Sequence, residues 1–342
     1  MLTALLDPLT DPRWSRLVDR CPQALIFHQP AWLGLLTERY RYPLAAAAVL
    51  DARGELVAGL PLALVASRLT GRRIVALPFS DVCPPLLAPD GNSDALQLLA
   101  DAVEGERRRR GLLLEVRGPF AQLGRPVDRF HLHVVDLHGG LAEVEGSYAS
   151  RTRRHVRKAR RMGVEICRRV DVEALEEFYA LHQRTRRRLG VPTQPKAFVR
   201  GLAGLFAREL GFVASARFEG RVVAAAVFLR TGGNLTYKYG ASDERYLHTR
   251  PNNLIFADVI EWACDQGLAT LDLGRTDFGQ EGLRDFKRSL GATERTLAYT
   301  YRGGTGGPST PSRAERAATA LIRNSPPAVG RAIGEVLYRH AG

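Results

Sequence analysis

Cysteine is scarce and scattered. Cys21, Cys83, Cys167 and Cys264 are the full set, with no C-x-x-C pair. That spacing argues against a zinc ribbon and against a disulfide framework. Lysine is almost missing too: Lys158, Lys196, Lys238 and Lys287 stand among 49 Lys and Arg residues. No apolar run approaches the ~18 residues of a membrane span. The opening MLTALLDPLTDPRW carries acids and no basic n-region. Neither a signal peptide nor an anchor is expected, and the cytoplasm is the default. No long heptad run and no residue-level repeat is visible. Cys83 has no histidine beside it in sequence and reads as a packed thiol. His131-x-His133 sits on a strand with no third ligand in sight, so no metal site is expected.

What is present is ordinary globular material. The chain has 342 residues, 45% hydrophobic and 25% charged, which suits two domains. The net charge of +13 points to an anionic partner: nucleic acid, nucleotide, phosphorylated lipid or membrane surface. The first half reads as helix–β–β–β–helix–β–β with mostly antiparallel neighbours. The second half repeats the theme, with strands at Phe212–Phe218, Val222–Leu229 and Leu235–Gly240 and a long helix at Asn252–Gln266. A tail follows a Gly/Pro/Ser linker, GGTGGPSTPS, and holds two short basic segments. It suits docking on the protein body or lying on an anionic membrane surface.

The chain is organised around Leu271–Ala292, LDLGRTDFGQEGLRDFKRSLGA. A short strand should break into a loop at Gly274–Gly282 and lead into a helix near Leu283–Leu290. Leu283, Phe286 and Leu290 keep helical spacing and should face a core. Lys287 then lies at the edge of that apolar stripe, where a strand end, a Gly-rich loop and a held cation form a polar cleft. A second constellation lies in ASRTRRHVRKARRMG, where Arg154, Arg157, Lys158 and Arg161 share one helical face. So many like charges repel one another, and phosphate relieves the repulsion. No aromatics interleave, so base stacking is not indicated.

These stretches resemble the FemAB-like branch of the GNAT acyltransferase superfamily. The likeness rests on the basic helix, TRRRLGVPTQP, YKYGASD, PNNLIFADVIEWACDQG, LDLGRTD and DFKRSLGA in order, joined by LPFSDVCPPLL in the first half. The tail is similar to that of FemAB-like proteins of exosortase and exopolysaccharide loci. The resemblance implies an α/β (α+β) fold of two tandem GNAT-like domains, each a mixed, mostly antiparallel sheet flanked by helices, with a helical tail. The expected boundaries are 1–140, 141–302 and 303–342. It implies acyl transfer from acyl-CoA or aminoacyl-tRNA to an amine of a nucleotide- or lipid-linked cell-envelope, exopolysaccharide or peptidoglycan precursor. The setting implied is cytoplasmic, at the inner face of the membrane, with tRNA and an anionic membrane as further partners. Carried over, Lys287 sits by the reacting carbonyl or an anionic group of the substrate. Arg275, Tyr237, Tyr239 and Phe286 line the substrate pocket, and Arg154, Arg157 and Lys158 meet phosphates. Arg250, Asn252 and Asn253 take the co-substrate at a helix start. The chain departs from the pattern at Leu290, where an aromatic is usual, and it lacks the R/Q-x-x-G-x-G/A loop for acetyl-CoA.

Acyl transfer needs a neutral amine and donors for the tetrahedral oxyanion. Asp277 is the first candidate base and Asp243 the second. Two other readings remain in view: a catalytically silent GNAT-like scaffold of a polysaccharide assembly system, and a basic nucleic-acid-binding protein.

Overall fold

A computed structural model describes residues 1–67, 71–304 and 313–340. The chain forms two compact units. Unit 1 is Met1–Phe130 with Thr296–Pro308 and Tyr338–Gly342, and unit 2 is His131–Arg295 with Ser309–Leu337.

Unit 1 runs β1 (Leu2–Leu6), α1 (Pro12–Arg20), α2 (Pro30–Tyr40), β2 (Leu44–Leu50), β3 (Leu56–Ser67), β4 (Gly71–Ala76), the two-residue β5 (Leu86–Leu87), α3 (Ser93–Arg110) and β6 (Leu113–Val116). Local chemistry sets these boundaries. The Asp11 side chain caps α1 by accepting from Arg13 N, with Pro12 as its first residue. Asn92 caps α3 in the same way, and Gly111 ends it in the left-handed region at φ +63°. Asp51 Oδ1 accepts from Arg53 N and Glu55 N, closing the turn between β2 and β3. β1, β2, β3 and β4 pair antiparallel in that order, and β4 pairs parallel with β6. Trp14, Trp32, Leu99 and Phe120 are buried in this unit.

Unit 2 follows through β7 (Val127–Asp136), whose later residues belong to it, then α4 (Gly140–Ser147), α5 (Ser150–Arg161), β8 (Glu165–Arg169), α6 (Val172–Leu189), α7 (Lys196–Gly201), α8 (Ala203–Phe206), β9 (Gly211–Phe218), β10 (Arg221–Thr231), β11 (Asn234–Ser242), α9 (Pro251–Asp265), β12 (Thr270–Asp277), α10 (Glu281–Arg288) and the start of β13 (Thr293–Arg302). β8, β9, β10 and β11 pair antiparallel in that order, and β11 pairs parallel with β12 across α9. The two units therefore repeat one plan. A strand and helices lead into three antiparallel partners, then a helix crosses to a parallel strand. The duplication is written in topology and not in residues. Each sheet gains a last strand drawn from elsewhere in the chain: β7 lies beside β12, and Thr300–Arg302 of β13 pair with β6.

Several expectations change. β1 went unread because LTALL is short and largely exposed. The basic helix starts at Ser150, after a separate α4. The helical stretch after Pro195 breaks at Leu202 into α7 and α8. Cys83 does have a histidine beside it in space, with Sγ 3.6 Å from His28 Nε2. Both are fully buried; burial raises the thiol and lowers His28 to about 4, so the pair is a neutral packing contact.

The linker expected at 303–312 lies outside the described residues from position 305 onward. The tail beyond it forms α11 (Arg313–Asn324) and α12 (Pro327–Leu337), and both pack on α6. α12 comes close through glycine: Thr193 N donates to Gly330 O at 3.1 Å, and a Cβ on Gly334 would fall 1.8 Å from Thr193 O. A Gly334→Ala variant should therefore lose about 1–3 kcal/mol by overpacking. Its melting temperature should drop, and limited proteolysis should cut within the tail helices before the rest of the chain.

Candidate functional site

β11 and β12 share a short ladder. The parallel register covers Asn234–Thr270, Leu235–Leu271 and Thr236–Asp272, after which β11 runs on to Ser242 and β12 to Asp277. β12 thus extends further than expected, taking in the first part of the predicted loop. Just past the last rung the strand kinks. Buried Asp272 accepts from Gly274 N at 2.7 Å, and Gly274 adopts φ +73°, a region that favours glycine. Successive carbonyls of a regular strand point to opposite edges. The kink lets two of them meet one donor.

That donor is Lys287. It is buried, at 3% exposure, so it does not sit on the rim of the apolar stripe. Its Nζ donates to Gly274 O at 2.7 Å, Arg275 O at 3.0 Å and Thr276 Oγ1 at 3.0 Å. An ammonium carries three hydrogens, and burial is tolerable because acceptors replace its water. Leu283, expected to face a core, is 40% exposed. α10 packs through its C-terminal half, where Leu290 is fully buried and the Phe286 ring lies 5.5 Å from that of Phe256.

A hydrogen-bonded chain runs back from Lys287. Thr276 Oγ1 lies 3.4 Å from His133 Nδ1, and His133 Nε2 lies 3.0 Å from Glu294 Oε2. Arg284 donates to both Glu294 oxygens, at 2.7 and 2.8 Å. One set of donor directions satisfies every link: ammonium to hydroxyl, hydroxyl to Nδ1, Nε2–H to carboxylate, guanidinium to carboxylate. It assigns a neutral His133 with its proton on Nε2. Desolvation and the nearby Lys287 charge lower His133 in the same sense, and Arg284 holds Glu294 down at about 2. Sequence reading weighed His133 as a metal ligand and missed this role. The available signal was the His-x-His spacing, which puts both imidazoles on one face; His131 Nδ1 also approaches Glu294, at 3.6 Å. Among the described residues no group of His, Cys, Asp and Glu is placed to hold a metal ion.

The two tyrosines expected to line one pocket part company. β10 and β11 slip register between Val227–Tyr239 and Phe228–Tyr237, leaving Lys238 as the extra residue of a bulge. Tyr237 turns toward α9, with its ring 5.0 Å from Phe256, whereas Tyr239 turns toward α6, 5.9 Å from His182. Tyr237 crosses over Gly240, where a Cβ would fall 2.0 Å from its hydroxyl.

The basic helix α5 is built into this neighbourhood. Arg151 Nη2 donates to Asp285 O at 2.8 Å, and buried Thr152 donates to Ser289 Oγ at 3.0 Å, tying α5 to the end of α10. α5 also packs on α9, whose N-cap is Arg250 in the left-handed region, with no side chain capping the first turn. Pro251 opens the helix, so the first-turn amides of Asn252 and Asn253 are set for an anion. Desolvation lowers His155, and so do the charges of Arg250, Arg154, Arg151 and Lys158. Arg154 and Arg157 are exposed and, with Arg160 and Arg161, line a basic hollow of about 520 Å³.

The two candidate bases differ. Asp277 is exposed at the end of β12 and accepts from Gln280 Nε2 at 3.0 Å. Asp243 is buried beyond β11 and bonded to Arg245 at 2.6 Å and Arg184 at 3.3 Å. Its hydrogen bond with Arg245 holds its pKa below the usual carboxylate range, which weakens it as a base.

Residues 146–288 match the model of a GNAT acetyltransferase domain, from the last turn of α4 to the end of α10. With the fold described above, the chain is similar to FemAB-like proteins of the GNAT superfamily. Over 127 residues it is 24% identical to the UDP-N-acetylmuramoylpentapeptide-lysine N(6)-alanyltransferase of Weissella viridescens, a match that spans 37% of this chain and 38% of that relative. Its fold is similar to that of FemX, with TM-score 0.71 at 15% identity over 88% of this chain and 97% of the other. It is also similar to L-PGS of Bacillus licheniformis, with TM-score 0.57 at 15% identity over 92% and 98%. A tandem GNAT protein from the clavulanic acid biosynthesis pathway gives TM-score 0.54 at 12% identity over 89% and 100%.

The Glu294 pair makes an acid-stability prediction. A carboxylate whose folded pKa lies near 2, against 4.5 ordinarily, stabilises the fold above the ordinary value and loses that contribution as pH falls toward the folded one. Between about pH 5 and pH 3 the wild-type melting temperature should fall more steeply than that of Glu294→Gln, so the gap between them should close. Parallel curves would show that Glu294 is uncoupled from folding.

Proposed function

We propose that the chain transfers an acyl group from acyl-CoA or aminoacyl-tRNA to an amine on a nucleotide- or lipid-linked cell-envelope precursor. The observation that carries this reading is the buried Lys287 ammonium at the point where β11 and β12 part company, beside the Gly274 kink. The relative from Weissella viridescens, a UDP-N-acetylmuramoylpentapeptide-lysine N(6)-alanyltransferase, supports it. A cytoplasmic setting at the inner membrane face suits it too; among the described residues no helix is long and apolar enough to cross a membrane.

The chemistry needs no covalent intermediate. The neutral amine nitrogen attacks the carbonyl carbon, and the C–S or C–O bond to the donor breaks. The amine proton passes to water or a carboxylate and then to the leaving group. Lys287, whose three hydrogens are held by protein acceptors, fixes the kinked strand edge and adds positive potential where the oxyanion develops. The oxyanion's hydrogen bonds then come from backbone N–H groups of that edge, each well-placed donor being worth about 10²–10³ in turnover. Asp277, exposed to solvent and next to the strand that Lys287 holds, is the better base. Phe286 precedes Lys287 in sequence, and the Arg275 carbonyl accepts from its Nζ. Arg250, Asn252 and Asn253 would take donor phosphates at the α9 N-terminus, with Arg154, Arg157 and Lys158 beside them.

A donor screen tests the reading. A donor at a hundred times its dissociation constant stabilises the fold by about 2.7 kcal/mol. One of acetyl-CoA, CoA or charged tRNA should raise the melting temperature accordingly, and Arg250→Ala should remove the effect. The triple variant Arg154→Ala, Arg157→Ala, Lys158→Ala should raise KM more than it lowers kcat, because phosphate contacts hold ground and transition states alike. No shift with any donor would put the scaffold reading ahead.

A further inference from the structure

β1 is the edge strand of unit 1. It pairs antiparallel with β2, from Leu2–Leu50 to Leu6–Ala46, and among the described residues no strand lies on its other side. That side carries unpaired backbone N–H and C=O groups, which invite another extended chain. Folded proteins blunt such an edge with charge, proline or a bulge. β8, an edge strand in unit 2, is blunted in this way. Glu165, Arg168 and Arg169 make up most of it, with Arg169 held by Asp171 at 2.6 Å and Arg168 by Asp258. β1 has none of these devices. LTALL holds no charge and no proline, and its register with β2 runs without a slip.

The side chains add to the open backbone. Leu2 is 74% exposed and Leu5 48%, and Met1 and Leu9 are exposed beside them. Elsewhere in unit 1 the only large apolar side chains exposed among the described residues are Leu113 and Val127. A lone exposed leucine is ordinary, but a contiguous set marks a surface that meets a partner. Leu5 also lines an apolar hollow of about 120 Å³ between β2, β3 and the end of α3. The charged residues of that lining, Glu106 and Arg110, are bonded to each other. An apolar void near this size holds a small hydrocarbon group.

We propose that β1 pairs antiparallel with β1 of a second copy of the chain, giving a weak symmetric dimer. An open strand is its own complement about a twofold axis, because each donor meets the acceptor of an identical partner. Centring the axis on Ala4 overlaps the whole strand. Leu2 then lies opposite Leu6 of the other copy, and Leu5 opposite Thr3 of the other copy. The pleat brings Met1 and Thr3 of the other copy onto the face of Leu5, beside the hollow. Charge selects the same edge. Copies carrying a net charge of +13 repel one another, and a stretch free of charge is where they meet at least cost. Five residues on each side fall short of the ~1,200 Å² of a stable interface, so a dissociation constant of about 1–100 μM is expected.

Sedimentation equilibrium of the full chain, over about two decades of concentration around that range, tests the proposal. The mass should rise from one chain to two and stop there, because twofold pairing uses the edge up. Added salt should preserve or strengthen the association, since it screens like charge and breaks no ion pair. Leu2→Lys and Leu5→Lys should each weaken the dimer at least tenfold. Both side chains are exposed, so the fold is not at risk, and circular dichroism checks it. Ala4→Cys should form a disulfide-linked dimer on mild oxidation, because residues opposite each other on the axis lie about 4.5–5.5 Å apart at Cα. Thr3→Cys should cross-link far more slowly, since position 3 faces Leu5 of the other copy and not its own counterpart. The wild-type chain, whose four cysteines are buried or half-buried, is the control. A monomer at every concentration, growth beyond the dimer, dissociation by salt, a dimer indifferent to both lysine variants, or equal cross-linking at positions 3 and 4 would each overturn the proposal.

Discussion

A buried ammonium must be given acceptors, and unit 2 is arranged to supply them. Lys287 lies at 3% exposure with Gly274 O, Arg275 O and Thr276 Oγ1 around its Nζ. Left without partners, such a cation costs several kcal/mol. With them it becomes a clamp between α10 and β12. The clamp requires β12 to kink at Gly274 beyond its last rung to β11. It also makes Thr276 both acceptor and donor, since the hydroxyl that accepts from Lys287 can donate onward to His133. Through Glu294 and Arg284 the same network ties β7, β12, α10 and the start of β13 into one piece. α5 joins it through Ser289 and Asp285.

The repeated topology explains why this cation matters in only one unit. Both units cross a helix to a parallel strand, β4 to β6 in one and β11 to β12 in the other. In unit 1 the parallel ladder continues through Ala76–Val116 to the end of both strands. In unit 2 it stops at Asp272, with most of each strand still to run. The same plan gives a plain sheet once and an opened strand pair with a held cation once.

Strands and helices with clean apolar periods, such as β2, β3, β9, β10 and α9, were legible in the sequence, because burial of one face writes itself into the residue pattern. Spacing put Lys287 beside an apolar stripe but at its rim, whereas it is buried. Its partners were not legible, because they depend on a positive φ at Gly274 and on Thr276, which look like loop residues in a Gly-rich run. His133 and Glu294 lie 161 positions apart, and Arg184 and Asp243 lie 59 apart. No local pattern joins residues at that separation. The tyrosine pair failed for a geometric reason: residues two apart share a face only in a regular strand, and the bulge at Lys238 reverses the count.

The central claim is that Lys287 serves the reaction and not the fold alone. The most direct test is steady-state turnover of Lys287→Ala in folded protein, with foldedness checked by near-UV circular dichroism and Lys287→Arg measured alongside. The account predicts a fall in kcat of roughly 100-fold or more with little change in donor KM, the pattern of a group acting mainly in the transition state. Turnover within about twofold of wild type in folded Lys287→Ala would contradict it, and would leave the lysine as a structural clamp.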